Sequence, residues 1–381
     1  MTVLRVVADA NMPGLDDLEG VSVDYCEGRE IQTHHLQEAD ALLVRSVTQV
    51  NEALLAGTAV RFVGTATSGF DHVDRAYLAE AGIGFSHAPG SNANSVVEYV
   101  LAAIAHVEDY LEQLLAGDRV GVIGFGNIGQ LLCQRLAALE IDFCCYDPWL
   151  DQATVANAAT LEEVLACRVI TLHPSLTLAS PWPSRHLLGV EELAQISAKQ
   201  LLINASRGEV IDNAALLNQL QRHAEWPVVL DVWEGEPALD PRLLECVVIG
   251  SAHIAGYSLD SKFKATDMLL AAMASNLGLP KMSSSLSSQQ PEPVSLAWPL
   301  TDAQILRSLL GLRYQIMDDD KLLRDVAANA AGDSEVLAAS FDRLRKTYAQ
   351  RRELAGSAVV GATGNASRLA LALGCHTDAE A

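Results

Sequence analysis

Residues 120–136 constrain this chain more than any other stretch. An apolar run at 120–123 leads into Gly124-Phe125-Gly126-Asn127-Ile128-Gly129, and Leu131, Leu132 and Leu136 follow at helical spacing. A strand must therefore end, turn sharply and open a helix within a few residues. Gly124 permits the tight turn, Gly126 permits a ligand to approach the backbone, and Gly129 permits close packing of helix on strand. Asn127 and Ile128 begin that helix, where unpaired N–H groups and the dipole favour a pyrophosphate. Asp147 ends the next apolar run, 23 residues after Gly124. A carboxylate there accepts hydrogen bonds from ribose hydroxyls and repels a 2′-phosphate, so the expected ligand is NAD rather than NADP.

The surrounding pattern predicts a doubly wound parallel sheet. Apolar runs at 120–123, 141–146, 168–172, 201–204, 227–231 and 247–249 are mostly separated by helix-length segments. Upstream, runs at 3–8, 41–44 and 60–64 suggest a first α/β unit over 1–95. Val96, Val97, Val100, Leu101, Ile104, Val107, Leu111 and Leu114 predict one long helix over about 94–116, closed by Gly117. The expected NAD unit spans 96–255, and helical character returns over 256–280. Residues 281–294 are rich in Ser, Gln and Pro and read as a linker. Residues 295–381 are long and apolar enough to fold. No internal repeat is present.

Charge narrows the partners. The 381 residues carry a formal net charge of -22, and the imbalance lies in 1–280, with 15 basic against 36 acidic residues. Residues 281–381 hold 11 basic and 12 acidic. Such a chain is a poor binder of nucleic acid or anionic lipid through bulk electrostatics. No apolar run approaches the ~18 residues of a membrane helix, and the first residues lead straight into a strand, leaving no room for a signal peptide. Seven cysteines without a C-x-x-C pair suggest buried, reduced thiols and a cytoplasmic chain.

Three segments at the ends of later strands carry chemistry: Asn204-Ala205-Ser206-Arg207-Gly208-Glu209, Asp231-Val232-Trp233-Glu234-Gly235-Glu236-Pro237 and Ser251-Ala252-His253-Ile254-Ala255-Gly256-Tyr257. Turns beyond the carboxyl ends of such strands face the ligand crevice. Arg207, Glu236 and His253 together suit oxidation of a 2-hydroxy acid. A guanidinium clamps the carboxylate and polarises the forming carbonyl. A histidine takes the hydroxyl proton as hydride leaves, oriented by a carboxylate. Each has a plainer reading: a surface ion pair for Arg207, a helix-start charge for Glu236, a satisfied core histidine for His253. No His or Cys spacing suggests a metal. Asp71-His72-Val73-Asp74 reads as a turn and helix cap. The basic residues Arg343, Arg345, Lys346, Arg351 and Arg352 read as a solvated helix face, with approach to a phosphate across a dimer as the other reading.

With these residues assembled, the chain resembles the D-isomer-specific 2-hydroxyacid dehydrogenase family, whose general signature covers about residues 35–280. Further segments resemble one branch of it: Ala10-Asn11-Met12-Pro13, Val44-Arg45-Ser46-Val47-Thr48, Gly64-Thr65-Ala66-Thr67-Ser68-Gly69, and Phe341-Asp342-Arg343-Leu344-Arg345-Lys346 with Arg351-Arg352-Glu353. The resemblance implies a discontinuous substrate domain (1–95 and 256–280) around a Rossmann NAD domain. It adds a C-terminal α/β dimerisation domain over 295–381, and hence a homodimer. It implies Arg207, Glu236 and His253 as catalytic, Asp231 and Gly256 as NAD contacts, and Ser46, Thr67 and Tyr257, with Arg45 beside them, as contacts to a small phosphorylated 2-hydroxy acid. The chain departs from the family at His173-Pro174-Ser175, where Pro174 has neither N–H nor hydroxyl to offer a cofactor, and at Ser206, where relatives sometimes carry Cys. Two rivals remain. One is an enzyme of the same family acting on 3-phosphoglycerate or glycerate, against which the extra domain and the Arg45, Ser46 and Thr67 segments argue. The other is a non-catalytic NAD-sensing binding protein, against which the complete Arg, Glu and His set argues.

Overall fold

The computed structural model describes residues 3–16, 18–284, 292–295, 300–349 and 351–377. The chain divides into two compact units, Met1–Asn92 with Ser258–Gln290 and Ala93–Tyr257 with Pro291–Ala381. The breaks follow Asn92 and Tyr257. Residues 295–381, however, are grouped with the glycine-loop region. Of the expected linker at 281–294, residues 285–291 lie outside the described residues.

The first unit holds a five-stranded parallel sheet in the order β2-β1-β3-β4-β5. Its strands are β1 Leu4–Asp9, β2 Val21–Cys26, β3 Ala41–Val44, β4 Phe62–Thr65 and β5 Gly84–His87. The apolar run of β3 is buried on both faces. Leu42 and Val44 join one core with Val7 and Val63, while Ala41 and Leu43 join another with Leu269, Leu270 and Met273 of the helix Leu259–Leu277. This is the two-sided burial that parallel strands require. Sequence pattern misses β2 and β5 for a physical reason. Both are edge strands, β2 alternates half-buried with exposed residues and β5 is only half-buried, so neither presents a continuous apolar run.

In the second unit six parallel strands run in the order β11-β10-β9-β8-β6-β7. They are β6 Arg119–Ile123, β7 Asp142–Tyr146, β8 Val169–Leu172, β9 Leu201–Asn204, β10 Val228–Leu230 and β11 Ile249–Gly250. A parallel bridge from Cys145 to Ala158 extends the sheet past β7. Chain order reverses between β6 and β8, which makes the carboxyl ends of those two strands the switch point. The single long helix expected over 94–116 is corrected to two helices, Ala93–His106 and Tyr110–Leu115, because Glu108 takes a left-handed φ of 43°. Arg307 covers the break, donating from Nε to the Ala105 carbonyl at 2.7 Å and from its terminal nitrogens to Glu112.

The last segment contributes β12 Val294–Ser295, β13 Ala358–Val360 and β14 His376–Thr377, a small parallel sheet in that order, and four helices. Among the described residues, their apolar side chains join the two cores of the second unit. Ile305, Leu306, Leu309 and Leu310 enter one core with the helix Ala93–His106, and Leu323, Leu337 and Phe341 enter the other.

Candidate active site

The glycine loop fits its expected duty in backbone terms. Gly124 has φ 92°, and a Cβ there would sit 2.6 Å from Pro174 N, so the turn after β6 packs directly on the turn after β8. A Cβ on Gly129 would meet the Gly124 carbonyl at 2.0 Å, whereas one on Gly126 would meet nothing within 4 Å. The helix Asn127–Ala138 starts at Gly126 without a side-chain cap. Its first N–H groups are thus left for an anion, and the residues present fit a dinucleotide pyrophosphate. Asp147 Oδ2 accepts from Phe125 N at 2.9 Å, which ties the acidic residue to the loop it serves. At the switch point, His173 is buried with Nε2 on Thr171 Oγ1 at 3.0 Å and Nδ1 unpartnered. Burial pushes its pKa down to about 3, so the ring is neutral. Ser175 beside it accepts through its carbonyl from Ser184 Oγ at 2.7 Å.

The catalytic candidates stand on three adjacent turns. After β9, Asn204 Nδ2 donates to the Arg207 carbonyl at 2.9 Å, and Asn204 Oδ1 accepts from Ser206 Oγ at 2.7 Å. Gly208 lets this turn meet the next, since a Cβ there would lie 2.0 Å from the Trp233 carbonyl carbon. After β10, Glu236 Oε1 accepts from Trp233 N at 2.7 Å, and Oε2 lies 2.8 Å from His253 Nδ1. Burial acts to raise the Glu236 carboxyl, but His253, the Trp233 N–H and Arg345 outweigh it and hold it below the usual carboxylate range. After β11, His253 takes φ 53°, a conformation that costs a non-glycine residue ~1–3 kcal/mol.

Asp231 holds that turn. Its carbonyl accepts from His253 N at 2.7 Å, and its carboxylate accepts from Ile254 N, Ala255 N and Ser251 Oγ at 2.7–3.0 Å. Tyr99 Oη reaches Ser251 Oγ at 2.8 Å. Resemblance assigns Asp231 to NAD; in this geometry its carboxylate is occupied with the turn that carries the histidine.

The basic residues of the last segment separate into two kinds, and the solvated-face reading is corrected for two of them. Arg343 and Lys346 are exposed. Arg351 turns inward, donating to the carbonyls of Tyr257 and Ala255 at 2.9 and 2.7 Å and to Ser95 Oγ at 2.6 Å. Arg345 donates to Tyr257 Oη at 3.2 Å. The turn at 253–257, including Gly256, is thus gripped from the end of the chain. Sequence reasoning gave no sign of this, because helix pattern fixes which residues share a face but not which face a distant helix offers.

The remaining candidates lie in the first unit. Arg45 and Ser46 follow β3, and Thr67 follows the neighbouring β4, with Val44 in register with Thr65. Thr67 Oγ1 donates to the Gly69 carbonyl at 2.6 Å. His72 Nε2 pairs with Thr65 Oγ1 at 2.9 Å, and Asp74 caps the helix Arg75–Glu80. Lys262 was not anticipated. Burial and then the charge of Arg45 push its pKa down to about 8.

Comparison with known proteins decides the family. The profile of the D-isomer specific 2-hydroxyacid dehydrogenase NAD binding domain matches residues 98–255, and a domain of unknown function, DUF3410, matches 286–374. Erythronate-4-phosphate dehydrogenase of Cellvibrio japonicus is 44% identical over 360 residues, covering 92% of this chain and 93% of that protein. The chain belongs to the erythronate-4-phosphate dehydrogenase family. The Photorhabdus laumondii protein of that name is 41% identical over 98% of this chain and 100% of its own. Solved structures share the fold at lower identity. The TT0316 protein of Thermus thermophilus covers 74% of this chain and 100% of its own, with TM-score 0.63 and 22% identity. D-lactate dehydrogenase of Aquifex aeolicus covers 72% of this chain and 96% of its own, with TM-score 0.58 and 23% identity. As a member of the erythronate-4-phosphate dehydrogenase family, the chain is an NAD-dependent 2-hydroxyacid dehydrogenase.

Proposed function

We propose that this chain oxidises 4-phospho-D-erythronate to 3-hydroxy-2-oxo-4-phosphooxybutanoate, a step of pyridoxal phosphate (vitamin B6) biosynthesis. The observation that carries the mechanism is the 2.8 Å contact between Glu236 Oε2 and His253 Nδ1. With the Nδ1 hydrogen donated to the carboxylate, Nε2 is the ring nitrogen left to take the proton of the 2-hydroxyl. Ionised Glu236 then stabilises the imidazolium that forms. Arg207 holds the substrate carboxylate and polarises the new carbonyl. Gly124, Gly126, Asn127, Ile128, Gly129 and Asp147, with Gly256, would hold NAD, which would supply the hydride acceptor for C2. Asp231 serves it by keeping the His253 turn in place. Ser46, Thr67, Tyr257 and Arg45 contact the substrate.

We also propose a cytoplasmic homodimer formed through the C-terminal segment. Supporting it, Leu312, Met317, Leu322, Val336, Val360 and Leu371 expose apolar side chains there. The cysteines are all free, and among the described residues no helix is long and apolar enough to cross a membrane.

NADH formation with 4-phospho-D-erythronate, 3-phosphoglycerate and D-glycerate tests the reading. Preference for the first is expected. Preference for either of the others would reassign the substrate, and no turnover of any would remove the enzymatic reading. Arg207→Ala should lower kcat/KM by at least ~100-fold while changing NAD affinity by less than about threefold. An equal loss of NAD binding would contradict its placement on the substrate.

A further inference from the structure

Arg345 sits in the last turn of the helix Ser334–Lys346, where the dipole favours a cation. Among the described residues its guanidinium makes one hydrogen bond, from a terminal nitrogen to Tyr257 Oη, and its carbon lies 5.8 Å from the centre of the Tyr257 ring. Nε is sealed from solvent and has no partner among the described residues. The acidic groups that bear on it electrostatically include Glu236 and Asp231. Both are engaged elsewhere, Glu236 by Trp233 N and His253, and Asp231 by the 253–257 turn. A guanidinium has five N–H donors, and one of them sealed from water without a partner is costly to keep. Its complement is an anion with several acceptor oxygens, and a phosphoryl group matches the guanidinium fork.

We infer that Arg345, with the Tyr257 hydroxyl, takes the phosphate of the substrate and so sets the preference for phosphorylated over unphosphorylated 2-hydroxy acids. The inference rests on the proposed function, in which Arg207 is committed to the carboxylate; Arg345 would add to Arg45 a cation from the C-terminal segment at the other anionic end. It gives the C-terminal segment a part in specificity from within the same chain.

The test compares kcat/KM for 4-phospho-D-erythronate and D-erythronate in the wild type, Arg345→Gln and Arg345→Lys, using a competitive inhibition constant where D-erythronate turns over too slowly. The ratio between the two compounds should fall on the order of 100-fold in Arg345→Gln, with the lysine variant in between. An unchanged ratio would overturn the inference, whether both compounds suffer together or neither does; a joint loss would make Arg345 a positioning residue for Glu236 and His253. Should the glutamine variant fail to fold, the lysine variant decides, since a ratio equal to that of the wild type overturns the inference and a ratio reduced by roughly tenfold supports it. A wild type that oxidises neither compound would instead remove the functional reading itself.

Discussion

His173 shows how one buried side chain can govern acid sensitivity. In the folded chain burial holds its pKa at about 3, whereas an unfolded histidine titrates near 6.5. The folded pKa is depressed, so the unfolded state takes the proton first. The stability this group contributes is present above pH 6.5 and is lost as pH falls from there toward 3. Between pH 7 and pH 5 the wild type should lose about 2 kcal/mol more stability than His173→Gln. Chemical denaturation at both values checks this, and parallel losses would contradict it. At this scale the sequence was partly legible. Arg207, Glu236 and His253 follow apolar runs at strand ends, so their neighbourhood could be read from spacing. The left-handed backbone of His253, the buried neutrality of His173 and the inward turn of Arg345 arise from packing between distant segments, which spacing does not encode.

Among the elements, central parallel strands announced themselves as apolar runs because both of their faces are covered. The edge strands β2 and β5 and the helix break did not, since β2 alternates half-buried with exposed residues, β5 is only half-buried, and the break at Glu108 is held by Arg307, 199 residues further along the chain. A second left-handed position offers a direct test. Ala331 ends the helix Ile316–Ala330 with φ 50° and is exposed. Glycine adopts this conformation without the steric cost borne by alanine, so Ala331→Gly should stabilise the protein by about 1 kcal/mol. A lower unfolding midpoint for the variant would show that the alanine is relaxed there.

For the molecule as a whole, the charge imbalance of the sequence separates a strongly acidic first part from a nearly neutral end, yet that end is not an accessory. Removing residues 291–381 takes away Arg345 and Arg351, and opens the apolar surfaces that Leu306, Leu309, Leu323 and Phe341 cover. The truncated chain should therefore be inactive as well as monomeric, and a fused dimerising helix should restore the dimer but not turnover. Activity in such a fusion would refute the structural role. The manner in which Arg351 holds the 253–257 turn has a consequence for how this family can vary. Its donors go to the main-chain carbonyls of Ala255 and Tyr257 and to Ser95. A joint between two side chains can drift by paired replacement, one charge swapped against another, but main-chain oxygens offer nothing to swap. Replacing the side chain of Ala255 or Tyr257 leaves these carbonyls in place, whereas replacing the arginine removes all of these contacts at once.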